Sequence, residues 1–167
     1  MSEPPPRTRL PALGARGEGW VIGQFALLGL VLVAGWPPTF PVPPASVADW
    51  LRLLGGGGAL LGAGWLGTSA ARRLGPSLTP LPHPRDGAEL VEAGIYARIR
   101  HPIYAALIAG AAGWALLAGS PLAGLATLAL AAFMDAKSRR EEAWLSSRYP
   151  AYAEYRRRTR RFVPGIY

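Results

Sequence analysis

The sequence contains no cysteine and only two histidines, His83 and His101, in its 167 residues. The absence of cysteine excludes disulfide bonds, thiolate metal sites and cysteine nucleophiles. The two histidines stand apart in different sequence contexts and do not form a closely spaced ligand set, so the sequence predicts no metal site. Chemistry in this chain therefore depends on carboxylates, hydroxyls, basic groups or a single histidine.

Charged residues are scarce, at 17% of the chain, whereas hydrophobic residues make up 50% and the mean hydropathy is +0.18. Acidic residues are the rarer charge, with 10 Asp and Glu against 18 Lys and Arg, which gives a net charge of +8. A basic balance suits either nucleic acid or an anionic membrane surface. The hydropathy favours membrane lipids and argues against a nucleic-acid partner. The length predicts one domain over residues 1–167.

Four uncharged, apolar runs cover residues 20–36, 53–71, 102–117 and 122–134. At about 1.5 Å per residue the longer runs approach a hydrocarbon core of about 30 Å. We therefore expect an all-α integral membrane protein with about four transmembrane helices. Trp20 and Trp36, at the ends of the first run, suit interface anchors. The alternative is that the last two runs are buried helices of a soluble bundle, but four such runs leave little polar surface for its shell.

Small residues suggest how these helices pack. The turn "AGSP" between the last two runs predicts a helical hairpin, packed through Ala106, Gly110 and Gly113. In the second run Gly58 and Gly62 are spaced for the close helix approach that small residues allow in membranes.

Basic residues predict the topology, because loops on the cytoplasmic side carry an excess of Lys and Arg. They cluster in the segment 1–19, in the loop after residue 71 (Arg72, Arg73, Arg85, Arg98, Arg100) and in the tail after Met134. We expect both termini and the loop to be cytoplasmic, in a bacterial plasma membrane. Residues 20–71 would hold two helices, and residues 72–167 the loop, the hairpin and a helical tail. No small-residue cleavage site follows the first apolar run, so no removed signal peptide is predicted.

Polar side chains gather in "RIRHPIY", at the start of the third run. Pro102 disfavours a helical His101 and suits the first position of a helix, so a helix is predicted to begin there with N–H groups free to hold an anion. We expect His101 at the water boundary and Tyr104 about half a turn inside. The alternative is an interfacial belt in which these side chains reach the headgroups.

If the fourth helix continues past Met134, Lys137 and Glu141 share a face and Glu142 points about 100° away. Such carboxylates can accept hydrogen bonds from an ammonium or from ribose hydroxyls, or can simply pair with Arg139 and Arg140. The run "RRRTRR", at 156–161, is predicted to rest on anionic headgroups, and the final "FVPGIY" to fold back against the membrane face.

Taken together, "GAELVEAGIYARIRHPIY" and "EEAWLSSRYPAYAEYRRRTRRFVPGIY" resemble the isoprenylcysteine carboxyl methyltransferase family, whose members are membrane enzymes that use S-adenosylmethionine. Phospholipid methyltransferases look related in the same region. The resemblance covers about residues 74–167 and rests on an ordered set of pieces. These are Leu90-Val91, Gly94 to Tyr96, Arg100 to Tyr104, Glu141-Glu142, Tyr149, Tyr152, Tyr155 and Pro164.

The resemblance implies S-adenosylmethionine as cofactor, and it implies the residues that bind it. These are Ala88, Glu89, Leu90, Val91, Tyr96, Arg100, His101, Pro102, Ile103, Tyr104 and Glu141. Lys137 falls where the family has a substrate-binding arginine, and lysine lacks the planar fork that grips a carboxylate with two bonds. Ala88 falls where the eukaryotic prenylcysteine enzymes tend to have histidine.

The predicted activity is therefore carboxyl or other O-methyl transfer to a lipid-like or small hydrophobic acceptor. A prenylcysteine carboxylate, a phenolic lipid hydroxyl and a phospholipid amine all remain open, and so does the oligomeric state. A phenol or an amine needs a general base, and His101 and Glu142 are the catalytic candidates. Two other classes also remain: a non-enzymatic membrane scaffold, and an NADPH-dependent membrane reductase.

Overall fold

A computed structural model describes residues 13–40, 43–83 and 87–167. Five α-helices occupy these ranges: α1 Glu18–Ala34, α2 Val47–Leu74, α3 Pro102–Ala118, α4 Pro121–Arg148 and α5 Tyr152–Arg158. Within the same ranges there is no β-strand, only one isolated bridge between Ile99 and Arg160. The all-α class is confirmed. Arg7, Arg9 and Arg85, which contribute to the topology prediction, lie outside the described residues.

None of the helices in the described ranges combines the length and the apolar character that a membrane span requires. The four transmembrane helices remain a prediction.

Helix boundaries follow local sequence signals. α3 begins at Pro102, as predicted, and α4 continues past Met134 to Arg148. α2 begins six residues earlier than its apolar run, because Ser46 and Asp49 form a capping box in which each side chain accepts from the other's backbone N–H. Gly119, in the left-handed conformation, and Ser120 connect α3 to α4, which pack against each other.

A close helix approach joins α2 to α3 and involves a different glycine pair from the predicted one. A Cβ added to Gly113 would lie 2.8 Å from the carbonyl oxygen of Gly56, and one added to Gly56 would lie 2.8 Å from that of Gly113. Gly58 and Gly62 have no neighbour within 4 Å at the corresponding position, so the prediction of a close approach there is wrong. The two backbones meet because neither glycine carries a side chain.

The small residues of α3 also face a different helix from the predicted one. Added Cβ atoms show Gly67 of α2 near Ala106, and Gly110 near Ala63 of α2. With Gly113, this stripe packs on α2 rather than across the turn on α4. The prediction that it joins the two helices of the hairpin is wrong.

α1 packs on α4 through aromatic rings. The ring centroids of Trp20 and Phe133 lie 5.2 Å apart, and Trp20 is buried whereas Trp36 is exposed. The prediction of an interface anchor is therefore wrong for Trp20. The central core formed by α1, α3 and α4 consists of Val31, Tyr104, Ala111, Ala126, Leu130 and Met134.

The C-terminal segment returns to the start of α3. The backbone N–H groups of Arg100 and His101 donate to the carbonyl oxygens of Arg160 (2.8 Å) and Arg161 (3.0 Å). The N–H of Arg160 donates to the carbonyl of Arg98 at 3.1 Å. This pairing holds the tail and α5 beside the polar start of α3.

Candidate active site

A cavity of about 330 Å³ lies where the start of α3, the second half of α4 and α5 meet two loop segments. Its volume falls within the range of about 300–1,000 Å³ that is usual for small-molecule sites. All eleven residues predicted to bind a cofactor line it: Ala88, Glu89, Leu90, Val91, Tyr96, Arg100, His101, Pro102, Ile103, Tyr104 and Glu141. Lys137 and Glu142 do not line it.

Eleven further residues line the cavity without having been predicted. They are Gln24, Leu74, Ser77, Leu78, Thr79, Pro80, Leu81, Leu145, Tyr149, Tyr152 and Tyr155. The tyrosines belong to the spacing noted in the tail, so that pattern offered a signal for them. Gln24 carried none, because only the packing of α1 brings it to this end of the molecule, and the segment 74–81 lay inside the region of resemblance without a motif of its own.

His101 is 5% exposed, so its predicted position at the water boundary is wrong. Its Nε2 lies 3.2 Å from Glu142 Oε1 and its Nδ1 lies 3.6 Å from Glu141 Oε2. The ring stacks on Tyr104 with centroids 5.3 Å apart, and Phe162 covers it edge-on. These contacts fix the imidazole between two carboxylates.

Glu142 is buried among cations. Its carboxylate lies 2.9 Å from Arg100 Nε, 3.3 Å from Arg161 Nε and 3.6 Å from Arg156 Nε. Burial opposes ionisation and is the largest single influence, yet the contacts with His101, Arg161 and Arg100 hold the pKa of Glu142 well below its usual range. A carboxylate with so low a pKa is a weak general base.

Glu141 has a different environment from its neighbour. Its Oε2 accepts a hydrogen bond from the Tyr104 hydroxyl at 2.7 Å, and the side chain is partly exposed at the cavity. The alternative in which both glutamates pair with Arg139 and Arg140 does not describe the contacts seen. Arg139 binds Asp135 at 2.7 Å, and Arg140 packs over the ring of Trp144.

Lys137 is fully buried on the same face of α4. Its ammonium donates to the side-chain oxygen of Gln24 at 2.5 Å and to the carbonyl oxygen of Pro80 at 2.8 Å, and it lies 5.2 Å from the centre of the Tyr104 ring. Burial lowers the pKa of Lys137 to about 8, against the opposing charge of Glu141. The ammonium is directed at protein oxygens rather than into the cavity.

The tail attaches to the cavity loops through hydroxyls and one ion pair. The Tyr149 hydroxyl donates to the carbonyl of Ala88, and the Tyr155 hydroxyl donates to that of Tyr96 at 2.8 Å. The exposed Arg158 pairs with Glu92. The tail therefore closes one side of the cavity.

Not every residue of the basic run 156–161 is available to contact a membrane surface. Arg161 is buried and binds both Asp135, at 2.7 Å, and Glu142. Arg161 therefore holds the site together instead of facing headgroups, which corrects the prediction for that residue. Within the described ranges, no group of three His, Asp or Glu side chains is placed to hold a metal ion.

The described residues form an all-helical protein with a ligand-sized cavity at one end of its helices, and the charged or ionisable side chains of Glu89, Arg100, His101 and Glu141 contribute to the lining of that cavity. A family model described as phospholipid methyltransferase matches residues 51–152, more than half of the chain. The chain belongs to the phospholipid methyltransferase family. The match supports membrane methyltransferases of this general type, whereas membership of the isoprenylcysteine enzymes in particular remains a prediction.

Two curated proteins are similar to part of the chain. A nickel-cobalt-cadmium resistance protein from Alcaligenes xylosoxydans xylosoxydans is 37% identical over 83 residues, 49% of this chain and 39% of the relative. A cobalt-zinc-cadmium resistance protein from Cupriavidus metallidurans is 36% identical over 83 residues, 49% of this chain and 38% of the relative. The chain thus matches well under half the length of these relatives.

Proposed function

We propose that this protein is an integral membrane, S-adenosylmethionine-dependent methyltransferase acting on a lipid-like or small hydrophobic acceptor. The observation that carries the proposal is the cavity, because all eleven residues that the resemblance names as cofactor-binding line it, in a chain of a methyltransferase family. A soluble-bundle or scaffold role gives no reason for those residues to converge.

The groups around the cavity suit the parts of S-adenosylmethionine. Glu141 and Glu89 offer carboxylates for its ammonium, its sulfonium charge and its ribose hydroxyls. The N-terminus of α3 lies at the cavity without a side-chain cap, and its dipole favours a carboxylate. Tyr152 also lines the cavity, and its hydroxyl is buried without a hydrogen-bond partner among the described residues.

When bound, the cofactor supplies a methyl group already activated by its sulfonium. The chain's own residues then position the reactants and exclude water, which supplies much of the acceleration for a displacement of this kind. Glu142 stays ionised, and in the His101 tautomer that carries its proton on Nε2 it orients the ring by accepting from Nε2–H. Nδ1 is then the nitrogen left to take a proton, and a phenol or an amine acceptor would need that base, whereas a carboxylate would not.

Structural features support the membrane part of the proposal. Large apolar side chains are exposed on the outer faces of α1 and α2, among them Ile22 (70%), Leu61 (78%) and Trp65 (67%). Extended exposed apolar surface marks contact with a partner or a membrane. Arg100, Arg156 and Arg161 gather around Glu142 beside the cavity, and we place this end of the molecule on the cytoplasmic side. Retention of the protein in carbonate-washed bacterial membranes tests this, and release into the wash would contradict it.

Binding of S-adenosylhomocysteine to the detergent-purified protein, measured by calorimetry, tests the enzyme class. Glu141→Gln should weaken binding by about 1.5–3 kcal/mol, roughly ten- to a hundredfold, because a charge-assisted hydrogen bond is lost. Glu154→Gln, an exposed change on α5 outside the cavity, is the matched control and should leave binding unchanged. A folded wild type that fails to bind would overturn the proposal, and NADPH would then be the next ligand to test.

A further inference from the structure

A second hollow lies next to the cavity, and its chemistry is different. It has a volume of about 820 Å³ and opens between α1, α2 and α3, and we call it the apolar groove. Leu28, Leu32, Leu60, Leu107 and Trp114 are among the residues that line it. No charged side chain contributes to its lining, and its one hydroxyl, that of Thr68, already donates to the carbonyl of Gly64 at 2.7 Å.

Ile103 is the one residue in the described ranges that lines both the cavity and the apolar groove. It is the second residue of α3, between Pro102 and Tyr104, so the start of the helix fixes its backbone. Within the described ranges, the cavity and the apolar groove therefore meet at one lining residue, Ile103.

We propose that Ile103 is a specificity-determining residue, whose side chain separates the cavity from a groove that holds the uncharged hydrocarbon chain of the acceptor. The inference rests on the proposed function and adds the place of the acceptor and the residue that controls its entry. A hydrocarbon chain suits a lining without charge, because an ammonium or a carboxylate in the groove would lose its hydration without gaining a partner.

The geometry of methyl transfer gives the shared wall its importance. A lone pair of the acceptor's oxygen or nitrogen forms a bond to the methyl carbon as the carbon–sulfur bond breaks. The electron pair of that bond stays on sulfur, and any proton left on the acceptor passes to a base. The reacting atoms must come within about 3–3.5 Å. A chain lying in the groove brings its polar end to the cavity at Ile103, so the size of this side chain limits how closely donor and acceptor meet.

An analogue of S-adenosylmethionine whose sulfonium methyl is replaced by an octyl chain tests the inference without knowledge of the acceptor. Its affinity is compared with that of S-adenosylhomocysteine in the detergent-purified protein, by calorimetry. Because Ile103 also lines the cavity, the ratio of the two affinities is the readout: Ile103→Ala should shift that ratio about tenfold in favour of the octyl analogue. Ile103→Phe should lower the affinity for the octyl analogue.

Leu107→Ala is the matched control, since Leu107 lies one turn further along α3 and lines only the groove. Leu107→Ala should lower the affinity for the octyl analogue and leave the affinity for S-adenosylhomocysteine unchanged. The ratio of the two affinities should therefore change in the direction opposite to that of Ile103→Ala. Ile103→Val removes only one methylene and should change the affinity ratio in the same direction as Ile103→Ala, but by less. It keeps the test valid if Ile103→Ala fails to fold.

The outcomes separate this inference from the proposed function. If the wild type binds S-adenosylhomocysteine and the ratio of the two affinities does not respond to Ile103, the inference is overturned and the methyltransferase stands. A groove occupied only by bulk lipid would give that same unchanged ratio. If the wild type binds neither ligand, the proposed function itself fails.

Discussion

The ammonium of Lys137 lies 2.5 Å from the side-chain oxygen of Gln24, on a helix more than a hundred residues earlier in the chain. Together with the 2.8 Å bond to the carbonyl of Pro80, this contact joins α4 to α1 and to the loop that forms one cavity wall. The resemblance assigned Lys137 to an acceptor carboxylate. The ammonium is buried and already donates to two protein oxygens, so it is poorly placed to bind an acceptor carboxylate. We infer instead that Lys137 holds Gln24 and Pro80 in position.

Replacing Lys137 with methionine should destabilise the protein and also lower its affinity for S-adenosylhomocysteine. The buried Gln24 side chain would lose its donor, and so would the partly buried carbonyl of Pro80. An unsatisfied buried polar group costs about 1–3 kcal/mol. Thermal unfolding in detergent and calorimetry measure the two effects.

Arg139→Met is the control, because Arg139 is largely exposed and pairs with Asp135 one turn away on the same helix. Exposed pairs of this kind contribute at most about 1 kcal/mol. If Lys137→Met instead kept stability and cofactor-site binding but raised only the acceptor's KM, the original substrate-binding assignment would be restored.

Glu142→Gln should remove part of the protein's sensitivity to acid. The folded-state pKa of Glu142 is lowered from its ordinary value of 4.5, so its contribution is fully present above about pH 4.5 and is lost as the pH falls below it. Removing one partner of a buried ion pair costs about 3–5 kcal/mol. The variant should be less stable at pH 7, and its melting temperature should fall less steeply than that of the wild type between pH 4.5 and 3.

Glu154→Gln, on the exposed side of α5, should reproduce the wild-type profile. If the curves of melting temperature against pH were parallel for wild type and Glu142→Gln, the ion pairs between Glu142 and the surrounding cations would contribute little to the stability of the fold.

Tyr155→Phe and Tyr152→Phe form a matched pair on α5. The Tyr155 hydroxyl donates to the buried carbonyl of Tyr96, whereas that of Tyr152 has no partner among the described residues. Removing the first should cost about 1–3 kcal/mol, and removing the second should leave the melting temperature unchanged or raise it. Equal losses in the two variants would contradict these hydrogen-bond assignments.

Short-range sequence signals predicted the helix start at Pro102, and ordered motifs named half of the residues that line the cavity. Contacts between distant helices were not predictable in the same way. Lys137 was assigned by position in a pattern, yet Gln24 decides its role, and nothing near Lys137 in sequence points to Gln24. Likewise the spacing of Gly58 and Gly62 is a sound signal for close approach, but the rotation of α2 turns Gly56 toward α3 instead.

That rotation leads to a direct test at Gly113. A methyl group at Gly113 would lie 2.8 Å from the carbonyl oxygen of Gly56 and 3.1 Å from Ala59 and Leu60, so Gly113→Ala should push α2 and α3 apart and lower the melting temperature. Gly110→Ala, one turn away, meets only Ala63 at 3.6 Å, an ordinary contact, and Gly62→Ala meets open space. Both should melt at or above the wild-type temperature, because alanine favours a helix more than glycine does. A Gly62→Ala variant that lost as much stability as Gly113→Ala would show that the outer face of α2 is covered in the purified protein.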